Sequence, residues 1–199
     1  EGVQEVVITG INLSSYEDED GTSLLMLLQA VAKVDGIRRI RMGSLEPRVI
    51  TEEFLEGITS LDKVCPHFHL SLQSACNETL KRMNRKYTIE EYMEKCDMIR
   101  KAYDRPAIAT DVIVGFPGET EEEFAMTVAN LEKLNLYEMH VFKYSKRSGT
   151  IAAAMEHQVS DAVKEKRSNI LLELTANQKA AYEQQFSGEL LPVLMEEYD

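Results

Sequence analysis

The sequence predicts an α/β fold in which parallel β-strands alternate with α-helices. Five short runs rich in β-branched and other apolar residues read as strands, at 6–9, 38–43, 67–72, 108–114 and 138–144, and helical patterns separate them. Strands that alternate with helices in this way build right-handed βαβ units and a parallel sheet. Because the strands do not divide into two similar halves, we favour an open or partial (βα) barrel over a doubly wound sheet.

Most of the predicted helices begin at residues that cap the free amides of a first turn. These are Thr51, Asn77, Thr88 and Thr120. The first helical pattern runs from Ser23 to Val34 and stops at Gly36. Thr88 and Thr120 are each followed three residues later by a glutamate, which makes a capping box and fixes both helix starts. A longer helical pattern, rich in Lys, Glu, Gln and Ala, runs from 160 to about 187.

The composition limits the classes of function. The chain has 199 residues, 44% of them apolar, and a net charge of −12. That charge argues against a nucleic-acid surface across the segment, so any contact with RNA must be local or made by other parts of the protein. No run approaches the roughly 20 apolar residues that a membrane-spanning helix needs, and we expect a cytoplasmic protein. Three widely spaced cysteines predict reduced thiols.

The stretch "CPHFHLSLQSAC", residues 65–76, invites a metal site because it holds two histidines and two cysteines. Structural zinc sites usually take closely spaced pairs of ligands from turns or helices. Here His67 and His69 alternate with apolar residues, which is the pattern of a strand. We therefore favour a barrel strand whose end carries Gln73 and Ser74, in the position where barrel strands meet ligands. The alternative role for these two residues is to form the turn before the short helix that Asn77 would cap.

The stretch "TDVIVGFPGETEEEF", residues 110–124, is a strand, a turn with two glycines, and a capped helix. Gly115 and Gly118 let the backbone approach a ligand, and the helix start offers free amides. Four glutamates and the lack of Lys or Arg exclude a phosphate loop and favour a neutral or zwitterionic ligand. Asp111 lies in an apolar run and needs a partner, for which Arg85 is one candidate.

Four stretches, in this order and spacing, resemble the radical S-adenosylmethionine methylthiotransferases: "GSLEP", "HLSLQSACNETLKRMNRKYT", "TDVIVGFPGETEEEF" and "VFKYSKRSGT". "CPHFHLSLQS" with "MNRKYT" is most similar to the branch that modifies N6-threonylcarbamoyladenosine at position 37 of tRNA. The resemblance covers residues 6 to about 195. It implies a partial (βα)6 radical-SAM-type barrel, truncated at its first strand, over 1–158, a C-terminal helix over 159–187, and the start of a small TRAM-like tRNA-binding β domain over 188–199.

The resemblance also implies which side chains hold S-adenosylmethionine. In similar enzymes an acid, a Gln, an Arg and an Asp hold the ribose and methionine ends, and the matching residues here are Glu46, Gln73, Arg85 and Asp111. The adenine pocket would be shaped by Gly10, Gly115, Phe116 and Pro117 and closed by Tyr144.

Two departures from the family pattern bear on activity. The Cys-x-x-x-Cys-x-x-Cys motif, whose thiolates hold the radical-generating 4Fe-4S cluster, does not occur in this sequence. The domain that the resemblance implies for the second cluster is also not found in this sequence. Ala75 stands where the family usually has glycine, and we expect a tighter turn after Gln73 that leaves the role of Gln73 in place. The resemblance implies two 4Fe-4S clusters in the full-length enzyme, with no cluster ligand and no catalytic residue in this segment, which we expect to be inactive by itself.

The resemblance implies the anticodon loop of tRNA as the partner of the full-length enzyme. It does not identify the sulfur donor, and we expect no association with a membrane. Two alternatives remain within the class: modification of isopentenyladenosine-37 in tRNA, or of an aspartate on a ribosomal protein. From another class, the chain would be a non-catalytic binding module with a barrel fold.

Overall fold

The computed structural model describes residues 2–10, 13–16 and 21–195 and contains five strands and seven α-helices within those ranges. The strands are β1 (Glu5–Ile8), β2 (Arg39–Met42), β3 (His67–His69), β4 (Ala107–Val114) and β5 (Glu138–Lys143). The helices are α1 (Leu24–Ala32), α2 (Glu52–Thr59), α3 (Asn77–Arg82), α4 (Ile89–Ala102), α5 (Glu121–Leu134), α6 (Ile151–Ala154) and α7 (Asp161–Gln184).

The strands lie side by side in chain order, and every pairing is parallel. One ladder joins β1 to β2 and another joins β3, β4 and β5. Single parallel bridges, Ile40 with Val64 and Leu45 with Leu70, connect the two ladders. Parallel strands in sequential order, without a reversal, form a partial barrel rather than a doubly wound sheet. The predicted fold class is therefore confirmed, with a barrel that is not closed.

The third strand is shorter than predicted because it contains a bulge. His69 pairs with Ala109 and Gln73 pairs with Val112, so β3 advances four residues while β4 advances three. Within the bulge, side chains replace part of the backbone ladder: the amide of Leu72 donates to the Thr110 hydroxyl at 3.1 Å. Bulges bend a strand and re-aim its side chains, often beside functional sites. Here the bulge places Gln73 at the carboxyl edge of the sheet.

The predicted capping residues hold, with one correction. Thr51, Thr88 and Thr120 each accept a hydrogen bond from the first turn of their helix, and Thr88 and Thr120 complete capping boxes. The structure adds Ser23 as the cap of α1. The N-cap of α3, however, is Cys76 without a side-chain cap bond, so Asn77 is not the cap. Asn77 instead accepts from the amide of Ile89 at 2.8 Å and ties α3 to the start of α4.

The core lies between the sheet and the helices that cover its outer face. Tyr92 on α4 is fully buried, and its hydroxyl donates to the carbonyl of Leu70 at 3.1 Å. The last helix, α7, packs along β5 and α5, with Leu171 fully buried. Between Glu189 and Met195 the described chain has no helix or strand, and the domain boundaries stay a prediction. Among the described residues, no helix combines the length and apolar character needed to cross a bilayer.

Candidate functional site

A cavity of about 520 Å³ opens at the carboxyl ends of β3, β4 and β5. Its lining includes three of the predicted cofactor residues, Gln73, Asp111 and Tyr144. The other lining residues come mainly from the end of β5 and the segment after it: Ile113, Phe142, Lys143, Ser145, Arg147, Thr150 and Ala152. A mixed polar and apolar cavity of this size, at this end of a parallel sheet, suits a small organic ligand.

Gln73 is held in a backbone conformation that non-glycine residues rarely adopt. Its φ is 72°, in the left-handed region. Its amide donates to the carbonyl of Asp111, and its carbonyl accepts from Ile113, both at 2.8 Å. These two bonds fix the strained residue to β4, and they orient its side chain toward the cavity that Asp111 also lines. Strain of this kind costs about 1–3 kcal/mol and is concentrated at functional sites.

Asp111 has His69 as its partner, so the predicted pairing with Arg85 is wrong. Nε2 of His69 lies 3.3 Å from Oδ1 of Asp111, with both side chains mostly buried. Interaction with His69 is the largest effect on this carboxyl and holds its pKa below the usual value, against the opposing effect of burial. The physical reason is the sheet register, because His69 pairs with Ala109, two residues before Asp111, on the adjacent strand.

The loop after β4 places the predicted residues Gly115, Phe116 and Pro117 together, all of them buried. Gly115 has φ 73°, and a Cβ there would overlap the side chain of Lys164, so the position favours glycine. The ring of Phe116 meets that of Tyr144 edge-on, with 5.4 Å between centroids. Tyr144 donates its backbone amide to Val114 at 2.9 Å. The loop and the end of β5 thus form one wall beside the cavity.

Behind this loop lies an ion pair that the sequence did not reveal. Glu119 is 1% exposed and Arg167 is 4% exposed in their side chains, and Oε2 of Glu119 lies 2.6 Å from Nη1 of Arg167. The same oxygen accepts from the amide of Gly115 at 2.7 Å. Burial raises the pKa of Glu119, while Gly115 and Arg167 act in the opposite direction. Spacing could not predict the pair, because the two residues lie 48 positions apart.

Arg82 contacts the other end of the loop after β4, next to Gly118. Its guanidinium pairs with Glu123 in the first turn of α5. This pairing is the largest effect on the Glu123 carboxyl and lowers its pKa. A Cβ on Gly118 would lie 3.3 Å from Nε of Arg82. The glycine loop is therefore supported by arginines from two helices, α3 and α7.

Glu46 and Arg85 lie at the same sheet edge but outside the lining of the cavity. Oε2 of Glu46 lies 2.8 Å from Nε of Arg48, while Nε of Arg85 is buried without a hydrogen-bonding partner. Both charges act on the hydroxyl of Tyr87, whose pKa burial raises to about 12. That hydroxyl donates to the carbonyls of Ser71 and Leu72 at 2.8 and 3.0 Å. Tyr87 therefore supports the strand that carries Gln73.

Gly10 follows β1 at the corresponding edge of the first strand and is exposed. Among the described residues, the atom nearest to a Cβ built there is the amide nitrogen of Leu13, at 3.9 Å, and the φ of Gly10 is not in the left-handed region. Its role in an adenine pocket stays a prediction.

The residues present suit a nucleoside-containing cofactor such as S-adenosylmethionine. The hydroxyl of Tyr144 and Nε of Arg85 are both buried without a protein partner, and buried polar groups are normally satisfied. Gln73 and Asp111 add an amide and a carboxylate, which are suitable partners for ribose hydroxyls. The predicted cofactor assignments remain predictions, but their donors and acceptors converge on one edge of the sheet.

The three cysteines do not fit an iron–sulfur cluster. They lie on different elements, and burial raises the pKa of Cys65 and raises that of Cys96 to about 12, which disfavours the thiolate that a cluster needs. Among the described residues, the one group whose donor atoms lie close enough to hold an ion is His69, Asp111 and His140, within 4.8 Å of one another. It contains neither Cys65 nor Cys76, so the four-ligand zinc alternative is not formed.

These features describe an α/β partial-barrel protein with a cavity at the carboxyl edge of its parallel strands. The chain matches the family model described as Radical SAM superfamily over residues 1–131, and it belongs to that family. The radical SAM part of the resemblance seen in the sequence motifs is thereby confirmed.

Two curated relatives align with 98% of this chain. "Threonylcarbamoyladenosine tRNA methylthiotransferase MtaB" of Bacillus subtilis (strain 168) is 41% identical over 198 residues. "tRNA-2-methylthio-N(6)-dimethylallyladenosine synthase" of Thermoanaerobacter pseudethanolicus is 43% identical over 198 residues. The chain spans 44% and 42% of the lengths of these relatives, which is less than half of each.

Solved structures share the fold at low identity. Coproporphyrinogen III oxidase (HemN) from Escherichia coli superposes with a TM-score of 0.62 and 18% identity, over 76% of this chain and 36% of that one. The radical S-adenosylmethionine methyltransferase TsrM from Kitasatospora setae superposes with a TM-score of 0.56 and 17% identity. The match covers 71% of this chain and 28% of that one. These matches support the partial-barrel architecture.

Proposed function

We propose that this chain is the cofactor-binding barrel segment of a tRNA methylthiotransferase that uses S-adenosylmethionine. The observation that carries the proposal is the convergence of Gln73 and Asp111 on one cavity at the carboxyl edge of a radical SAM barrel. The named activities of the relatives, which are methylthiotransferases acting on tRNA, supply the reaction class.

In this proposal S-adenosylmethionine supplies the radical chemistry that activates a C–H bond of the substrate. Asp111 and Gln73 hydrogen-bond the ribose hydroxyls, and Glu46 adds a third polar group at the same edge. Arg85 pairs with the methionyl carboxylate, which explains why its Nε is buried without a protein partner. Each of these groups binds and orients the cofactor.

The glycine loop shapes the adenine end of the proposed site. The positive φ of Gly115 turns the chain directly after β4 and exposes backbone groups at the sheet edge. Phe116 and Tyr144 stack edge-on and exclude water from that side. Because Glu119 and Arg167 fix the turn from behind, the wall is set before the cofactor binds.

For the substrate, we propose N6-threonylcarbamoyladenosine at position 37 in the anticodon loop of tRNA, converted to its 2-methylthio derivative. The resemblance of "CPHFHLSLQS" and "MNRKYT" to that branch supports this choice. Relatives named for the threonylcarbamoyl and the dimethylallyl nucleoside match at 41% and 43% identity. The second candidate substrate is therefore dimethylallyladenosine (isopentenyladenosine) in tRNA, and a ribosomal-protein aspartate is the third.

The site assignment predicts that full-length protein carrying Gln73→Ala or Asp111→Ala binds S-adenosylmethionine more weakly. For Asp111→Ala we expect a roughly ten- to hundredfold loss, because a hydrogen bond to a charged group contributes about 1.5–3 kcal/mol. For Gln73→Ala we expect a roughly two- to tenfold loss, because a hydrogen bond between neutral groups contributes about 0.5–1.5 kcal/mol. Calorimetry measures the affinity, and cofactor cleavage should fall with it while the clusters still assemble. Asp62→Ala, an exposed carboxylate in the turn before β3, is the matched control. Unchanged binding in both site variants would remove these residues from the site.

Nucleoside mass spectrometry of tRNA from a strain lacking the gene tests the substrate. Loss of 2-methylthio-N6-threonylcarbamoyladenosine, restored by the wild-type gene, is the expected result. Loss of the dimethylallyl derivative instead would assign the second substrate. Intact tRNA nucleosides with a mass change in a ribosomal protein would assign the third. No chemical change in tRNA or ribosomal protein would favour a non-catalytic binding module.

A further inference from the structure

The segment after β5 carries cations that lack ion-pair partners within the described chain. Lys146 and Arg147 are exposed, and neither side chain has a carboxylate within ion-pair distance among the described residues. Their neighbour Lys143 pairs with Glu165 at 2.6 Å. We call Lys146 and Arg147 the basic pair.

The lack of a partner is unusual for an arginine in this acidic chain. Of the ten arginines, seven form ion pairs in the described structure: Arg39, Arg41, Arg48, Arg82, Arg100, Arg105 and Arg167. Of the three others, Arg38 directly precedes β2, and Arg85 has its Nε buried without a hydrogen-bonding partner. Arg147 alone of the three lines the cavity, next to Gln73 and Asp111. An external anion at the cavity mouth is the natural partner for it.

The backbone holds the basic pair in a defined turn. The carbonyl of Arg147 accepts from the hydroxyl and the amide of Thr150, at 2.8 and 3.3 Å. The Thr150 hydroxyl in turn accepts from the amide of Ala153 and caps α6. Arg147 is thereby presented at the rim by local structure.

We propose that Lys146 and Arg147 bind the RNA phosphates that flank the target nucleoside. This inference rests on the proposed function and adds the contact that guides RNA to the site. A nucleoside that enters the cavity from a single-stranded loop leaves its two phosphates at the rim, because they are charged and joined to the next nucleotides. The chain's net charge of −12 repels RNA overall, so binding needs local cations at the point of entry.

The test measures how salt weakens the binding of full-length protein to a fluorescently labelled anticodon stem-loop RNA. For a single strand, each phosphate that a cation neutralises adds about 0.7 to the slope of log affinity against log salt. Lys146→Ala/Arg147→Ala should therefore lower the slope by about 1.4. The ratio of the RNA affinity of the wild type to that of the variant should therefore fall about sevenfold as the salt rises from about 50 to 200 mM.

Two controls isolate the effect of the basic pair. Lys33→Ala/Arg38→Ala removes the same charge near the amino end of β2, at the far edge of the sheet, from two exposed residues, and should keep the wild-type slope. Arg147→Lys keeps the charge and should therefore keep most of the wild-type slope. If Arg147 instead bound a carboxylate through the two arms of its guanidinium, lysine could not replace it.

The outcomes separate this inference from the proposed function. The inference is overturned, and the proposed function is not, if the salt slope of Lys146→Ala/Arg147→Ala equals that of the wild type. The same conclusion follows if Lys33→Ala/Arg38→Ala lowers the slope by an equal amount. A loss of S-adenosylmethionine affinity in the Ala variant without RNA also overturns it, because the pair would then belong to the cofactor site. If wild-type protein does not bind the RNA, the proposed function and the inference both fail.

Discussion

Gln73 occupies a backbone conformation that is costly for folding. A left-handed backbone at a residue other than glycine or asparagine is rare, and here two ladder bonds to β4 enforce it. The strand cannot relax Gln73 without breaking both. Because the side chain faces the same cavity as Asp111, the strain is most simply explained by the demands of the site.

His69 and Asp111 give a pH-dependent contact at the same edge. Interaction with His69 lowers the pKa of the Asp111 carboxyl, so this carboxylate stabilises the fold at neutral pH. The stabilisation is complete above the ordinary value of about 3.9, and it is lost as the pH falls from there through the lowered folded-state pKa. Near neutral pH the Asp111 carboxylate is therefore fully ionised and ready to accept a hydrogen bond.

We predict that His69→Leu raises the pKa of Asp111 and weakens S-adenosylmethionine binding, because the carboxylate loses its orienting partner. His69→Gln retains an N–H donor and should keep most of both properties. Carbon-13 NMR of the labelled carboxyl gives the pKa, and calorimetry gives the affinity. If the pKa of Asp111 in His69→Leu equals that of wild type, His69 does not position it.

At the scale of elements, α7 acts as the support for the glycine loop. Arg167 extends from α7 to Glu119, and Glu119 holds the amide of Gly115 at the end of β4. A second contact, from Arg167 to Glu121, reaches the first turn of α5. One guanidinium therefore joins a helix, a loop and the start of another helix.

Removing Arg167 should destabilise the protein strongly. Arg167→Met leaves the Glu119 carboxylate buried without its cation, which typically costs about 3–5 kcal/mol. We expect the thermal midpoint to fall and S-adenosylmethionine affinity to fall with it, because Gly115 loses a fixed anchor. Scanning calorimetry and ligand titration measure the two effects.

The paired variant Glu119→Gln/Arg167→Met is the control for unpaired charge. It leaves no buried charge and should be markedly more stable than Arg167→Met alone. Equal stability of the single and double variants would show that Arg167 acts through packing on Phe124, whose ring centroid lies 5.2 Å away, and not through Glu119.

At the scale of the whole molecule, the parallel sheet collects distant segments at one edge. Strands that run in the same direction end together, so residues that are far apart in the sequence meet at the cavity. The amino edge of the same strands carries a different set, including Arg39 paired with Glu5. Binding of the cofactor should therefore protect the backbone at the carboxyl edge and leave the amino edge unchanged.

Hydrogen exchange of the full-length protein with and without S-adenosylmethionine tests this arrangement. We expect added protection at the carboxyl edge, in segments 44–48, 71–74, 83–87, 111–118 and 140–150. Helices α1 and α2, on the outer face, should exchange equally in both states. Protection centred on α1 and α2 would contradict the assigned site.

Much of the fold was predictable because its signals are local. Thr88 and Thr120 define helix starts through bonds within the first turn, and β4 is recognisable as a continuous apolar run. The bulge in β3 was not predictable, because it depends on the Thr110 hydroxyl of a neighbouring strand. The same limit applies to Asn77, which contacts α4 and does not cap its own helix.

The alternation of strands and helices follows from periodicity and capping, which are local properties of the sequence. The radical SAM family and the candidate residues Gln73, Asp111 and Gly115 were recognisable from contiguous motifs. The pairing of Asp111 with His69 could be seen only in the folded chain, because strand register sets that contact. The same holds for Arg167 and Glu119, since packing of α7 against the barrel brings together two charges whose spacing along the chain carries no signal.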